Sequence, residues 1–140
     1  MAELRAFLKA LTPEAAVSLG GAYYRIARFP FRVGRESRIS HAAAPRANSR
    51  RHPDSPANND LYLTELGDVL NVSREHFRIE RQGNEFFIVD RGSACGTLVE
   101  GDHVGDRRQG GRRSLENNDV IIVGTSESRF IFKFVLLESR

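Results

Sequence analysis

Short runs of β-branched and aromatic residues recur along most of this chain, each closed within a few positions by glycine, asparagine or aspartate. EFFIVD (85–90) and VIIVG (120–124) are compact apolar runs, and RFIFKFVLL (129–137) sets Phe130, Phe132 and Phe134 on one face at the strand period. FRVGR (31–35), LYL (61–63) and FRIER (77–81) are shorter runs of the same kind. Between them stand Gly83-Asn84, Gly92, Gly96, Gly101-Asp102, Gly110-Gly111 and Asn117-Asn118-Asp119. Such segments must pair side by side to satisfy their backbones, which argues for an all-β fold, an antiparallel sandwich or barrel. The opening AELRAFLKAL is ambiguous: its residues are good helix formers, whereas an edge strand there would complete a sheet.

At 140 residues the chain fits one domain, spanning 1–140. No apolar run approaches the roughly 20 residues of a membrane span, and Glu3 in a short apolar N-terminus makes a poor signal peptide. The single cysteine, Cys95, excludes an internal disulfide framework and fits a reducing, cytoplasmic setting. No Cys/His cluster has zinc spacing, so neither metal nor cofactor is expected. A net charge of only +3 gives no reason to expect a nucleic-acid partner, and no membrane partner is expected either. Nearly all the basic residues are arginine, with lysine only at positions 9 and 133. Arginine is the better bidentate partner for planar anions and phosphate, although codon bias explains the same composition. Nothing in the sequence points to an oligomer, so a monomer is the expectation.

One segment stands apart. Ser40 to Asn59 has three prolines, no large apolar residue and no period, and it cannot bury enough surface to offset its ordering entropy. Strands flank it on both sides, so it reads as a surface loop inserted in the domain.

NVSREHFRIE (71–80) carries the chemistry. Ser73 and His76 raise the question of a nucleophile and its base, but that reading needs a group to orient the histidine. There is no G-x-S-x-G elbow and no acid marked for that role, so no catalytic residue is expected. Ser73 beside Arg74 instead suggests a grip on phosphate. A phosphorylated side chain carries nearly two negative charges and three acceptor oxygens, and a surface site for it needs arginine, hydroxyl and free backbone N–H donors from neighbouring loops. Gly34-Arg35, Ser73 to His76 and Ser93 to Thr97 are three such loop positions.

At these residues the sequence resembles the forkhead-associated (FHA) domain family. The resemblance is carried in order by FRVGR (31–35), NDLYL (59–63), VSREHFRIE (72–80), FFIVDRGSACGTLVEG (86–101) and LENNDVIIVG (115–124). It implies a sandwich of about eleven strands whose loops bind phosphothreonine peptides, a strand over 3–11, and a long insertion at about 36–58. It further implies that Arg35 and the Ser73 hydroxyl contact the phosphate, with Arg74 adding a polar contact. His76 would tie the binding loops together without transferring a proton. Gly34 and Gly96 would supply tight backbone geometry and Thr97 would brace its loop. Preference for residues after the phosphothreonine would be read near Asn71 and the loop from Thr125 to Ser128. The implied partner is a phosphothreonine-containing protein in Ser/Thr kinase signalling, or its kinase.

The chain departs from the family pattern at two positions. The asparagine before Gly-Thr, whose amide bonds the ligand backbone, is Cys95 here, and the preceding Thr or Ser is Ala94. A thiol cannot replace the paired donor and acceptor of an amide. Two readings follow: a phosphothreonine-binding module with altered backbone recognition, or a phosphate-independent interaction domain of the same fold.

Overall fold

The computed structural model of the chain describes residues 3–36, 58–65, 70–105 and 110–139. Its elements follow in the order β1 (Glu3–Ala10), α1 (Pro13–Leu19), β2 (Tyr23–Ile26), β3 (Phe31–Arg35), β4 (Leu61–Leu63), β5 (Phe77–Gln82), β6 (Glu85–Asp90), β7 (Thr97–Val99), β8 (Asp102–Val104), β9 (Arg112–Leu115), β10 (Val120–Val123) and β11 (Ile131–Ser139). They form two sheets, one in the order β2-β1-β11-β10-β7-β8 and the other β4-β3-β5-β6-β9. The all-β sandwich expected from the sequence is therefore observed, with eleven strands among the described residues.

Alternation decides which side of each strand faces the other sheet. Phe130, Phe132 and Phe134 are at most 3% exposed and meet Ile79, Ile88 and Phe86 of the opposite sheet within one apolar core. Phe86 and Phe134 pack edge to face, with ring centroids 5.4 Å apart. β1 pairs with β11 along its whole length, Glu3 opposite Ser139 through Ala10 opposite Phe132. That pairing overrides the helix-forming composition of residues 3–10, because Ala6 and Leu8 fill the core as alternate residues of a strand.

Two features differ from the sequence expectation. Residues 13–19 form a helix that the strand pattern did not anticipate. Its signals are local: Thr12 caps the N-terminus by accepting from the Ala15 N–H, Pro13 opens the first turn, and Gly20 closes the helix at φ 76°. The second is that β3 and β4 run parallel, Val33 opposite Leu61, in a fold otherwise paired antiparallel among the described strands. A parallel pair needs a long crossover, and the 36–58 segment expected as an insertion lies in this connection. Most of that segment, 37–57, lies outside the described residues.

Candidate functional site

The end of β3 meets the 71–76 and 91–97 loops at one edge of the sandwich. Gly34 is required there by contact: a Cβ on it would stand 2.0 Å from the Arg74 carbonyl oxygen and 2.7 Å from Asn59 Nδ2. With no side chain in the way, Asn59 Nδ2 donates to the Arg74 oxygen at 2.8 Å. Arg35 then bonds the 71–76 loop twice, through its backbone N–H to the Ser73 oxygen (2.9 Å) and through Nε to the Val72 oxygen (2.8 Å). Among the described residues, neither Nη of Arg35 makes a hydrogen bond.

His76 is fully buried and connects the two loops. Its Nδ1 accepts the Ser73 backbone N–H at 2.9 Å, which puts the proton on Nε2, and Nε2 donates to the Gly96 oxygen at 2.7 Å. Burial pushes the imidazole below its ordinary pKa, against the opposing effect of the Gly96 bond, so it is held neutral. Both ring nitrogens are committed to backbone groups and neither meets the Ser73 hydroxyl. Asp90 is committed as well: it accepts from the N–H groups of Gly92 (2.8 Å) and Ser93 (3.0 Å) and from the Ser93 hydroxyl. The Ser93 Oγ in turn accepts the Gly96 N–H at 3.0 Å. Ser73, His76 and Asp90 therefore form a loop brace and not a nucleophile, base and orienting acid.

Ser73 Oγ accepts the Ala94 N–H at 3.0 Å, and its own proton has no acceptor among the described residues. The serine is thus oriented as a donor toward the cleft beside it. That cleft, about 410 Å³, is lined by Arg35, Asn58, Ser73, Arg74, Glu75, Arg91 and Gly92. Three guanidiniums stand against one carboxylate around it, and it brings Arg35, Ser73 and Arg74 together.

Arg91 was not singled out from the sequence. Its Nη1 donates to Asn59 Oδ1 (2.6 Å), its Nη2 to the Asn58 oxygen (2.8 Å), and Glu75 lies 3.8 Å away. Burial lowers its pKa from the ordinary arginine value, with Glu75 opposing. Through Asn59 it also supports the Arg74 carbonyl. Its main partners are 32 and 33 residues away in sequence, so no local pattern marks it.

The remaining expected residues divide. Ala94 is exposed and Cys95 half-buried on the 91–97 loop, and neither is among the residues lining the cleft. Gly96 takes φ 73° and a Cβ there would stand 2.4 Å from the Gly105 oxygen, so glycine is needed for that turn. Thr97 opens β7 and is buried, and its hydroxyl has no partner among the described residues. Asn71 and Thr125 meet each other: the Thr125 hydroxyl donates to Asn71 Oδ1 at 2.8 Å. Glu65 fixes this corner by accepting the N–H groups of Asn71 and Val72, each at 2.8 Å. Asn71 lines a separate cleft with Glu14, Thr64, Glu65, Glu127, Arg129 and Phe130.

The structure is thus a two-sheet sandwich that presents a basic, hydroxyl-bearing cleft on its connecting loops. The chain belongs to the FHA domain family, whose profile matches residues 31–124. It is 35% identical over 80 residues to the glycogen accumulation regulator GarA of Mycolicibacterium smegmatis, a match covering 57% of this chain and 42% of that protein. It is also 36% identical over 74 residues to the oxoglutarate dehydrogenase inhibitor of Corynebacterium jeikeium, covering 53% of this chain and 42% of that one. The matched region therefore spans about two-fifths of the length of these curated relatives. In fold it is similar to the kinase-interacting FHA domain of the kinase-associated protein phosphatase KAPP of Arabidopsis. There the TM-score is 0.65 at 19% identity, with 100% of this chain and 99% of that one covered.

Proposed function

We propose that this domain binds phosphothreonine on a partner protein in Ser/Thr kinase signalling, the kinase itself included, and that it catalyses no reaction. The observation that carries this reading is the convergence on one cleft of the Arg35 Nη groups, the Ser73 hydroxyl and Arg74, with Arg91 behind them. A phosphate dianion would accept charge-assisted hydrogen bonds from the guanidiniums and a further one from Ser73. His76, Gly34 and Gly96 would act from beneath, holding the loops at the separation these donors need. Membership of the FHA family and the relatives' regulatory names are consistent with such a role.

Cys95 and Ala94 favour a second reading, an interaction domain of the same fold that ignores phosphate. Neither side chain can supply the amide contact to a ligand backbone. The experiment that separates the two is a titration with a degenerate phosphothreonine peptide library and its unphosphorylated counterpart, read by backbone NMR shifts. Phosphate-dependent shifts at 35, 73–74 and 91–92 support the first reading. Shifts that ignore phosphorylation, or that leave this cleft untouched, overturn it.

A further inference from the structure

Asn58 stands half-buried on the wall of the loop cleft, and its side chain is only half used. Its neighbour Asn59 is 3% exposed and commits both ends of its amide, Oδ1 accepting from Arg91 Nη1 at 2.6 Å and Nδ2 donating to the Arg74 oxygen at 2.8 Å. Asn58 is held at every polar group but one. Its backbone N–H donates to the Tyr62 hydroxyl at 3.2 Å, its backbone oxygen accepts from Arg91 Nη2 at 2.8 Å, and its Oδ1 accepts the Tyr62 hydroxyl proton at 3.1 Å. Its Nδ2 has no partner among the described residues. The tyrosine decides which end of the amide is left over. The Tyr62 hydroxyl already accepts two backbone N–H groups, from Asn58 and, at 3.3 Å, from Asn59, so its lone pairs are used and its proton remains. That proton needs an acceptor, which sets Oδ1 against the tyrosine and leaves the donor end of the amide uncommitted.

We infer that Asn58 is a ligand-contacting residue of this cleft: its Nδ2 donates to a main-chain carbonyl oxygen of the bound peptide, beside the phosphothreonine. This assignment rests on the phosphothreonine reading of the cleft and adds what holds the peptide next to the phosphate. A phosphothreonine brings its flanking carbonyl oxygens to the site with it, and those that lose water there need a donor in its place. Among the described residues lining the cleft, the three guanidiniums and the Ser73 hydroxyl suit the charged phosphate oxygens. Glu75 is an acceptor, and the Gly92 N–H is taken by Asp90. Asn58 then supplies the remaining neutral side-chain donor, and a neutral amide suits a neutral carbonyl. Ala94 and Cys95 are not among the residues lining the cleft, and neither carries an amide. Because the backbone and Oδ1 of Asn58 are already pinned, engaging Nδ2 costs little further ordering. A residue that only propped the loop would need Oδ1 and the backbone groups but not Nδ2.

The test uses the whole chain, one library-selected phosphothreonine peptide and its unphosphorylated twin in calorimetry, and inorganic phosphate followed by NMR shifts. Asn58→Ala should weaken the phosphopeptide about threefold to tenfold, the range for losing one neutral hydrogen bond, and leave the affinity for inorganic phosphate within about twofold. Asn58→Asp keeps an acceptor for Tyr62 and the backbone bonds, and replaces the donor with a second acceptor oxygen. It should melt like the parent and weaken the phosphopeptide at least tenfold, with at least a threefold loss persisting when about 0.5 M salt screens the added charge. If Asn58→Ala fails to fold, Asn58→Asp decides. An Asn58→Asp variant that binds the phosphopeptide as the parent does would reduce Asn58 to a loop support and overturn the inference. A loss in Asn58→Ala shared equally by inorganic phosphate would place Nδ2 on the phosphate and overturn it as well. Equal binding of the phosphorylated and unphosphorylated peptides by the parent would instead defeat the phosphothreonine reading, and this inference with it.

Discussion

Replacing His76 with alanine removes a side chain that satisfies the 71–76 and 91–97 loops at once. The Ser73 N–H loses its acceptor and the Gly96 oxygen its donor, and both lie where a fully buried ring has excluded water. An unsatisfied buried polar group costs about 1–3 kcal/mol, so two give roughly 2–6 kcal/mol before the cavity is counted. That is a large share of the roughly 5–15 kcal/mol of ordinary domain stability. The pH dependence is the sharper signature. In the folded state burial holds the imidazole below its ordinary pKa of 6.5, so at mildly acidic pH the unfolded chain binds a proton that the folded chain does not. The stabilisation is fully present above about pH 6.5 and is lost as pH falls from there toward the folded pKa, with a slope of at most about 1.4 kcal/mol per pH unit. Urea unfolding of the parent and of His76→Ala between pH 7.5 and 5 measures both effects. A His76→Ala variant as stable as the parent, or a parent whose stability ignores pH in that window, would refute the brace. Hydrolysis by the parent that vanished in both Ser73→Ala and His76→Ala would restore the catalytic reading.

Gly34→Ala should destabilise the domain by about 2–4 kcal/mol, combining overpacking with the lost Asn59 bond to the Arg74 oxygen. Gly83→Ala, at φ 63° with open space around it, should cost only about 1–2 kcal/mol; equal costs in thermal melts would count against the close approach. Arg91→Ala should weaken phosphopeptide binding at least fivefold in calorimetry, and it should shift the backbone resonances of Asn59 and Arg74 even without ligand. Unchanged spectra would show that Arg91 supports neither. Cys95→Asn should tighten binding in the same assay if a missing backbone contact limits it, and no change would rule out that explanation.

The parts of this molecule that were legible in its sequence are those where local pattern and tertiary demand agree. The phenylalanines of β11 alternate because one side faces the core, and Arg35, Ser73 and Arg74 stand in motif positions that the fold brings to one cleft. α1 was missed although Thr12, Pro13 and Gly20 mark its ends, because a seven-residue helix is too short to show a period against so many strands. The parallel pairing of β4 was invisible because register across a long crossover is set by the core and not by the three residues of LYL. Arg91 sits between a strand-ending aspartate and a glycine, where the pattern indicates a turn, and its asparagine partners become neighbours only after folding. In β11, Ile131, Lys133 and Val135 were visible as the alternate residues of the phenylalanine stripe, but one strand alone does not show what faces them.

In the proposed function, Arg35 and Ser73 hold a phosphate. The most direct measurement is calorimetry of one library-selected peptide with its threonine phosphorylated and unphosphorylated, against the parent chain and Arg35→Ala. A surface-held phosphopeptide should bind with micromolar affinity, about −8 kcal/mol, and the unphosphorylated form should bind far more weakly. Loss of the guanidinium should cost about 2–4 kcal/mol, or roughly 30- to 1,000-fold. Ser73→Ala should cost less, and binding should weaken below about pH 6 as the phosphate takes up its second proton. Equal affinity for the two peptides, unaffected by Arg35→Ala, would contradict the claim and leave an interaction domain that does not read phosphate.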